Sequence, residues 1–153
     1  MRATFNSFGL LLASMAAILL AGCASGTTNV NPNPDPAVQK PRTTFAAYAA
    51  TREYPADLPK TEDAAIRAEV DYQLDVINFV NLGDTELKDV EVWVNEHYVV
   101  LLGTLPVKQQ RGANFHVLFD KAGQQAPSRG TWVEMIELNY DGQMHSVRVR
   151  PAD

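Results

Sequence analysis

From Ile66 the chain alternates. Ile66, Ala68, Val70, Tyr72, Leu74 and Val76 fall on one face of an extended backbone, while Arg67, Glu69, Asp71, Gln73 and Asp75 fall on the other. Successive side chains of a strand point to opposite faces, so the run predicts one long, half-buried strand over 66–76. The alternation breaks at Ile77–Phe79, as at a bulge or where both faces become covered. Asn81-Leu82-Gly83-Asp84 then supplies turn chemistry. A second strand over 89–95 turns Val90, Val92 and Val94 inward and Asp89, Glu91 and Trp93 outward. After Asn95-Glu96-His97 the chain returns through Tyr98–Leu102, which is apolar on both faces and therefore predicted to be central. A tight reversal sets Trp93 beside Tyr98 as a cross-strand aromatic pair.

Gln109–Gly112 reads as a polar loop, Asn114–Asp120 (NFHVLFD) as a fourth strand, and Lys121–Gly130 as the longest loop. The clearest hairpin follows: Thr131–Tyr140, the dipeptide Asp141-Gly142, and Gln143–Arg150, with Pro151 ending the sheet. Asp-Gly suits a type I′ turn because both central residues need positive φ. That turn pairs Leu138 with His145, Ile136 with Val147 and Glu134 with Val149, and leaves Glu137 diagonal to Arg148. Six strands joined by short turns predict an all-β fold, a small antiparallel β-sandwich or open barrel. Ahead of them, Phe45–Tyr54 (FAAYAATREY) has the spacing for one or two helical turns, closed by Pro55, and could shield a strand edge. Residues 55–62 read as loop.

The chain before this is different in kind. Ala24–Thr44 holds Pro32, Pro34, Pro36 and Pro41 among Asn, Gly, Ser and Thr, and has too little apolar surface to offset its ordering entropy. It reads as an extended tether, reaching roughly 65 Å at about 3.1 Å per residue. Before the tether, Arg2 precedes an apolar run, Phe8–Leu20, and small residues follow. That is the pattern of a secretory signal, too short to span a bilayer comfortably. The organisation is then a leader over 1–22, a tether with its short helix over 23–62, and a β domain over 63–153.

Leu20-Ala21-Gly22-Cys23, placed where the apolar run ends, resembles the lipobox of bacterial lipoproteins. The resemblance implies cleavage before Cys23, a diacylglyceryl group on its thiol and acylation of the new amino terminus. Cys23 is the only cysteine in the chain, so no internal disulfide is available, and a free thiol in an oxidising compartment is a liability that lipidation removes. The competing reading is an ordinary secretory signal with Cys23 merely the first cysteine after it. Ala24 stands where an inner-membrane retention signal would place Asp, which by resemblance favours the outer membrane, periplasmic face. A second resemblance is smaller. Leu87-Lys-Asp-Val-Glu-Val and His116-Val-Leu-Phe-Asp-Lys-Ala-Gly123 look like parts of the FxLYD-type, immunoglobulin-like domains of bacterial envelope proteins, with His116 in place of Phe and Phe119 in place of Tyr. It implies an immunoglobulin-like sandwich and no shared catalytic site.

Charge and chemistry narrow the partners. The formal charge of −5 includes Arg2, so the chain from Cys23 carries −6, and it has no basic cluster with which to neutralise phosphates. Nucleic acid is therefore an unexpected partner. His97, His116 and His145 form no short ligand pair, and Glu69, Asp71 and Asp75 along one strand face cannot wrap an ion. Glu134 and Glu137, three apart on a strand, face opposite ways. No nucleophile elbow, phosphate loop or dinucleotide fingerprint occurs, so no catalytic residue, metal or cofactor is expected. Trp93 and Tyr98 are the candidate partner contacts, because aromatics are enriched at binding hot spots. The resulting expectation is a lipid-anchored envelope protein, held to the membrane through Cys23, with a non-catalytic β domain that binds or braces an envelope protein or the cell-wall polymer. A small-ligand carrier and a small periplasmic enzyme with a scattered site are the alternatives.

Overall fold

The computed structural model describes residues 39–130 and 132–152. The leader, Cys23 and most of the tether lie outside the described residues. Within them are a helix α1 (Arg42–Ala50) and strands β1 (Lys60–Asp71), β2 (Val76–Asn81), β3 (Leu87–Val94), β4 (Tyr98–Leu105), β5 (Gln110–Asn114), β6 (Ile136–Tyr140) and β7 (Gln143–Pro151), with a 3-10 turn at Phe115–Val117. The strands form one seven-stranded sheet in the order β4-β3-β6-β7-β1-β2-β5. The all-β expectation holds, and the open barrel is the architecture formed. Every pairing is antiparallel except β1 with β7, which is parallel. Turns dictate antiparallel pairing only between consecutive strands. β7 and β1 are distant in sequence and meet as the outer strands of separate hairpins, so no turn constrains their direction.

The predicted long strand is two strands. Alternation runs unbroken through a turn, because Asp71 Oδ1 accepts the backbone N–H groups of Gln73 (2.8 Å) and Leu74 (2.9 Å) and Asp75 takes a positive φ of 53°. Ile66, Ala68 and Val70 do face the core, but Leu74 is 69 % exposed at the turn. The break near Ile77 is the second strand, whose Ile77, Phe79 and Asn81 lie opposite Val70, Ala68 and Ile66. β1 also starts earlier than expected, at Lys60, inside the stretch read as loop.

Other departures have similar local causes. The NFHVLFD stretch is not a strand: Asn114 Oδ1 accepts from His116 N (2.9 Å) and starts the 3-10 turn, which buries Phe115, Val117 and Leu118. The strand is the polar QRGAN before it, recruited by pairing with β2. β4 is an edge strand rather than a central one, and α1 packs against it with Phe45 and Ala49 buried. Asn95 and Glu96 both take positive φ, and with His97 they make the β3–β4 loop one residue longer than a two-residue hairpin. Tyr98 therefore sits opposite Val94, and Trp93 opposite Val99, so the two aromatics point to opposite faces and do not pair.

The last hairpin keeps the predicted register, with Leu138 opposite His145, Ile136 opposite Val147, and positive φ at Asp141 and Gly142. Its first strand begins only at Ile136, because Asn95 Oδ1 takes the N–H groups of Glu134 (2.9 Å) and Met135 (3.0 Å). Val149 pairs with Ala68 instead of Glu134, and Glu137 faces Ser146.

The two ends of the sheet approach one another and are stitched by the connecting chain. After β5 the chain crosses to β4, where Val99 N donates to Phe119 O at 2.9 Å. At the other end Asn81, buried on β2, donates through Nδ2 to Thr85 O (2.7 Å) and Leu105 O (3.2 Å), accepts from Gly83 N (2.9 Å), and receives Lys108 N on its own carbonyl (2.7 Å). Asn81→Ala removes the side-chain bonds and leaves Leu105 O short of a partner. It should lower the unfolding free energy by about 2–3 kcal/mol in urea denaturation.

Candidate functional site

The outer face of β3 and β6 is where polar chemistry is concentrated. On β3, Glu91 and Trp93 alternate with the inward valines; on β6, Glu137 and Asn139 take the same outer positions, with Trp93 opposite Glu137 and Glu91 opposite Asn139. Such positions ordinarily face water, yet Glu91 is 3 %, Trp93 3 % and Glu137 1 % exposed. Two carboxylates are buried because α1 and the chain following it, together residues 42–54, lie over them as an arm.

The arm brings its own donors. Tyr48 Oη and Arg52 Nε each donate to Glu91 Oε1 at 2.6 Å, while the barrel supplies Trp93 Nε1 (3.0 Å) and Asn139 Nδ2 (3.1 Å) to Oε2. The i, i+4 spacing of Tyr48 and Arg52 places both on one side of the helical turn, and the guanidinium also stands 5.4 Å from the Tyr48 ring centre. Tyr54 Oη donates to Glu137 Oε2 and its ring meets Trp93 edge-on at 5.5 Å. Lys60 Nζ reaches Glu137 Oε1 at 3.4 Å and donates to Tyr54 Oη at 2.5 Å, and Ser146 Oγ donates to Glu137 Oε1 at 3.4 Å. Beside them Lys121 pairs with Glu53 at the surface.

These contacts fix the charge states. Burial pushes the Glu91 carboxyl up, but the bonds from Arg52, Tyr48, Trp93 and Asn139 outweigh it and hold the group below its ordinary 4.5. Burial and the hydrogen bond to Glu137 push Tyr54 up to about 12, against the opposing pull of Lys60; burial and Glu91 raise Tyr48 as well. The Glu91 carboxylate is thus held ionised by the Arg52 cation and the neutral Tyr48 phenol. Because the folded pKa of Glu91 is depressed, its stabilisation is present above the unfolded value and is lost as pH falls through the folded one. Unfolding free energy measured from pH 7 to 3 should decline below about pH 4.5, and Glu91→Gln should flatten that decline.

The residues singled out from sequence are scattered. Trp93 is buried beneath Tyr54. Tyr98 is half-buried on the other face, edge-on to Trp132 (5.3 Å) and His97 (5.0 Å). Trp132 continues to Phe115 (5.0 Å) and Phe115 to Tyr72 (6.1 Å), so one barrel end carries a chain of rings that ends two residues before the exposed Leu74. The Trp132 indole N–H is buried there with no hydrogen-bond partner among the described residues. His116 Nδ1 is 2.9 Å from Gln125 Nε2, His145 Nδ1 is 3.0 Å from Thr61 Oγ1, and His97 Nε2 is 3.5 Å from Asp120 Oδ2. Among the described residues no group of three or more His, Cys, Asp or Glu could hold a metal ion, and no helix is long and apolar enough to cross a membrane. Cys23 lies outside the described residues.

Glu91, Glu137, Tyr48, Arg52 and Tyr54 were not identifiable as a cluster from sequence, since their convergence depends on where the arm lies. The one available signal was Tyr-x-x-x-Arg-x-Tyr in a segment whose helix is too short to stand alone. No family model, no curated protein and no solved structure matches the chain.

Proposed function

We propose that this protein is a lipid-anchored component of the cell envelope whose barrel binds another envelope component, protein or cell-wall polymer, without catalysing a reaction. The anchor is Cys23, acylated after cleavage of the leader, with the outer membrane the favoured location from Ala24. Support for the anchor comes from the tetrad Leu20-Ala21-Gly22-Cys23 and the absence of any second cysteine. The observation that carries the binding role is the aromatic barrel end, where a turn pinned by Asp71 holds Leu74 69 % exposed two residues after Tyr72, from which the rings run through Phe115 and Trp132 to Tyr98. An exposed apolar side chain on a backbone already fixed by hydrogen bonds can be covered by a partner without ordering a loop. Support for a non-catalytic reading comes from the two buried carboxylates, whose oxygens are engaged by donors of the fold itself.

The test is photo-crosslinking in cells with the probe at Leu74, at Tyr98 and, as a control, at Val30 in the tether. The proposal predicts one discrete adduct from the first two positions, none from Val30, and a weaker adduct when Cys23→Ser prevents acylation. Absence of an adduct at both barrel positions contradicts the binding role.

A further inference from the structure

The arm and the face beneath it belong to one chain, yet their chemistry does not require that. The barrel holds its acceptors ready through its own donors, Trp93 and Asn139 for Glu91, Ser146 and Lys60 for Glu137. The arm supplies three side chains from seven consecutive positions, Tyr48, Arg52 and Tyr54. It buries only Phe45 and Ala49 completely enough to join the core, and α1 starts after Pro41 with no side-chain cap. A nine-residue helix held by Phe45 and Ala49, with Ala46 and Tyr48 part-buried beside them, opens at lower free energy than the barrel it covers. Opening is tolerable because the face is on the outside of the sheet: lifting the arm returns both carboxylates to water instead of stranding them in a core.

The hinge favours departure. Between Tyr54 and β1, the backbone bonds of Pro55–Leu58 are local, Ala56 N to Tyr54 O (2.9 Å) and Leu58 N to Pro55 O (3.1 Å), with the Leu58 side chain part-buried against the core; the backbone is first tied to the barrel at Pro59, whose carbonyl accepts from Met144 N (2.9 Å). Each proline drives its preceding residue, Tyr54 and Leu58, toward extended geometry. Straightened, Pro55–Leu58 spans roughly 13 Å. Exchanging an identical element between copies keeps every contact it makes.

We propose that the face formed by Glu91, Trp93 and Glu137 accepts the Arg42–Tyr54 arm of a second copy of this chain, giving arm-exchanged dimers when copies are crowded. The in-cis arm competes at an effective concentration of roughly millimolar, so exchange belongs to crowded conditions. This inference does not depend on lipidation or on the aromatic barrel end.

The Glu53–Lys121 ion pair joins arm to barrel and is exposed at both residues, 78 % and 63 %, so a carbodiimide can convert it to an amide. Residues 24–153, which contain all of the described fold, are prepared with 14N and with 15N, mixed equally at about millimolar concentration, incubated and coupled. The dimer fraction is then analysed by mass spectrometry. Exchange predicts Glu53–Lys121 linkages of which about half carry both labels. Arg52→Gln in both preparations weakens the arm's hold on its own barrel and on the partner's alike, so mixed-label linkages should form faster while their final share stays near half. Linkages carrying a single label only, no Glu53–Lys121 linkage at all, or mixed linkages that form no faster in Arg52→Gln would each overturn the proposal.

Discussion

Glu91→Ala is expected to lower the unfolding free energy by about 3–5 kcal/mol, the range for breaking a buried charged network by removing one partner. Glu91 accepts four hydrogen bonds, from Tyr48, Arg52, Trp93 and Asn139, and alanine replaces none of them. Arg52 can turn to water, since its side chain is 41 % exposed. Trp93 Nε1 cannot do so without the arm lifting, because the indole is buried under Tyr54. The loss should therefore be accompanied by faster hydrogen exchange across α1, while β1 and β2 stay protected. Tyr48→Phe removes a single bond and should cost about 1 kcal/mol. Equilibrium urea unfolding of the two variants measures the difference, and equal small losses would mean that the arm does not depend on Glu91.

Phe79→Ala should destabilise by a comparable amount, about 3–5 kcal/mol, through a different mechanism. Phe79 is fully buried on β2, and its register partners are Ala68 on β1 and Arg111 on β5. Ala68 is already small and cannot fill the space, and moving the Arg111 charge inward would cost more than it regains. The vacated volume therefore remains a cavity, which places the variant at the costly end for its type. Leu74→Ala, also apolar but 69 % exposed, is the internal comparison and should lie within about 0.5 kcal/mol of the parent. Both variants can be measured by thermal and chemical unfolding.

The contrast between Phe79 and Leu74 shows what was legible. Period-two alternation located the inward residues Ile66, Ala68, Val70, Val90, Val92 and Val94, and the Asp-Gly dipeptide set the register of β6 with β7. Alternation carries no record of where a strand stops, however. Asp71 folds back onto Gln73 and Leu74, and the pattern continues across that turn with Leu74 on the apparently apolar side. β5 was illegible for the opposite reason: QRGAN offers little apolar periodicity, and pairing with β2 makes it a strand. The candidate site was hidden by a third effect. Glu91 and Glu137 occupy outward positions, which sequence assigns to solvent, and they are buried only because a distant segment covers them. A tertiary lid of this kind leaves no periodic trace on the strand it covers.

The most direct test of the account is the intact mass of the protein extracted from its native membranes. A lipid-anchored protein predicts a chain that begins at Cys23 and carries a diacylglyceryl group and an amide-linked acyl chain. A chain cleaved elsewhere, or one that begins at Cys23 with a free thiol and no lipid, would contradict it.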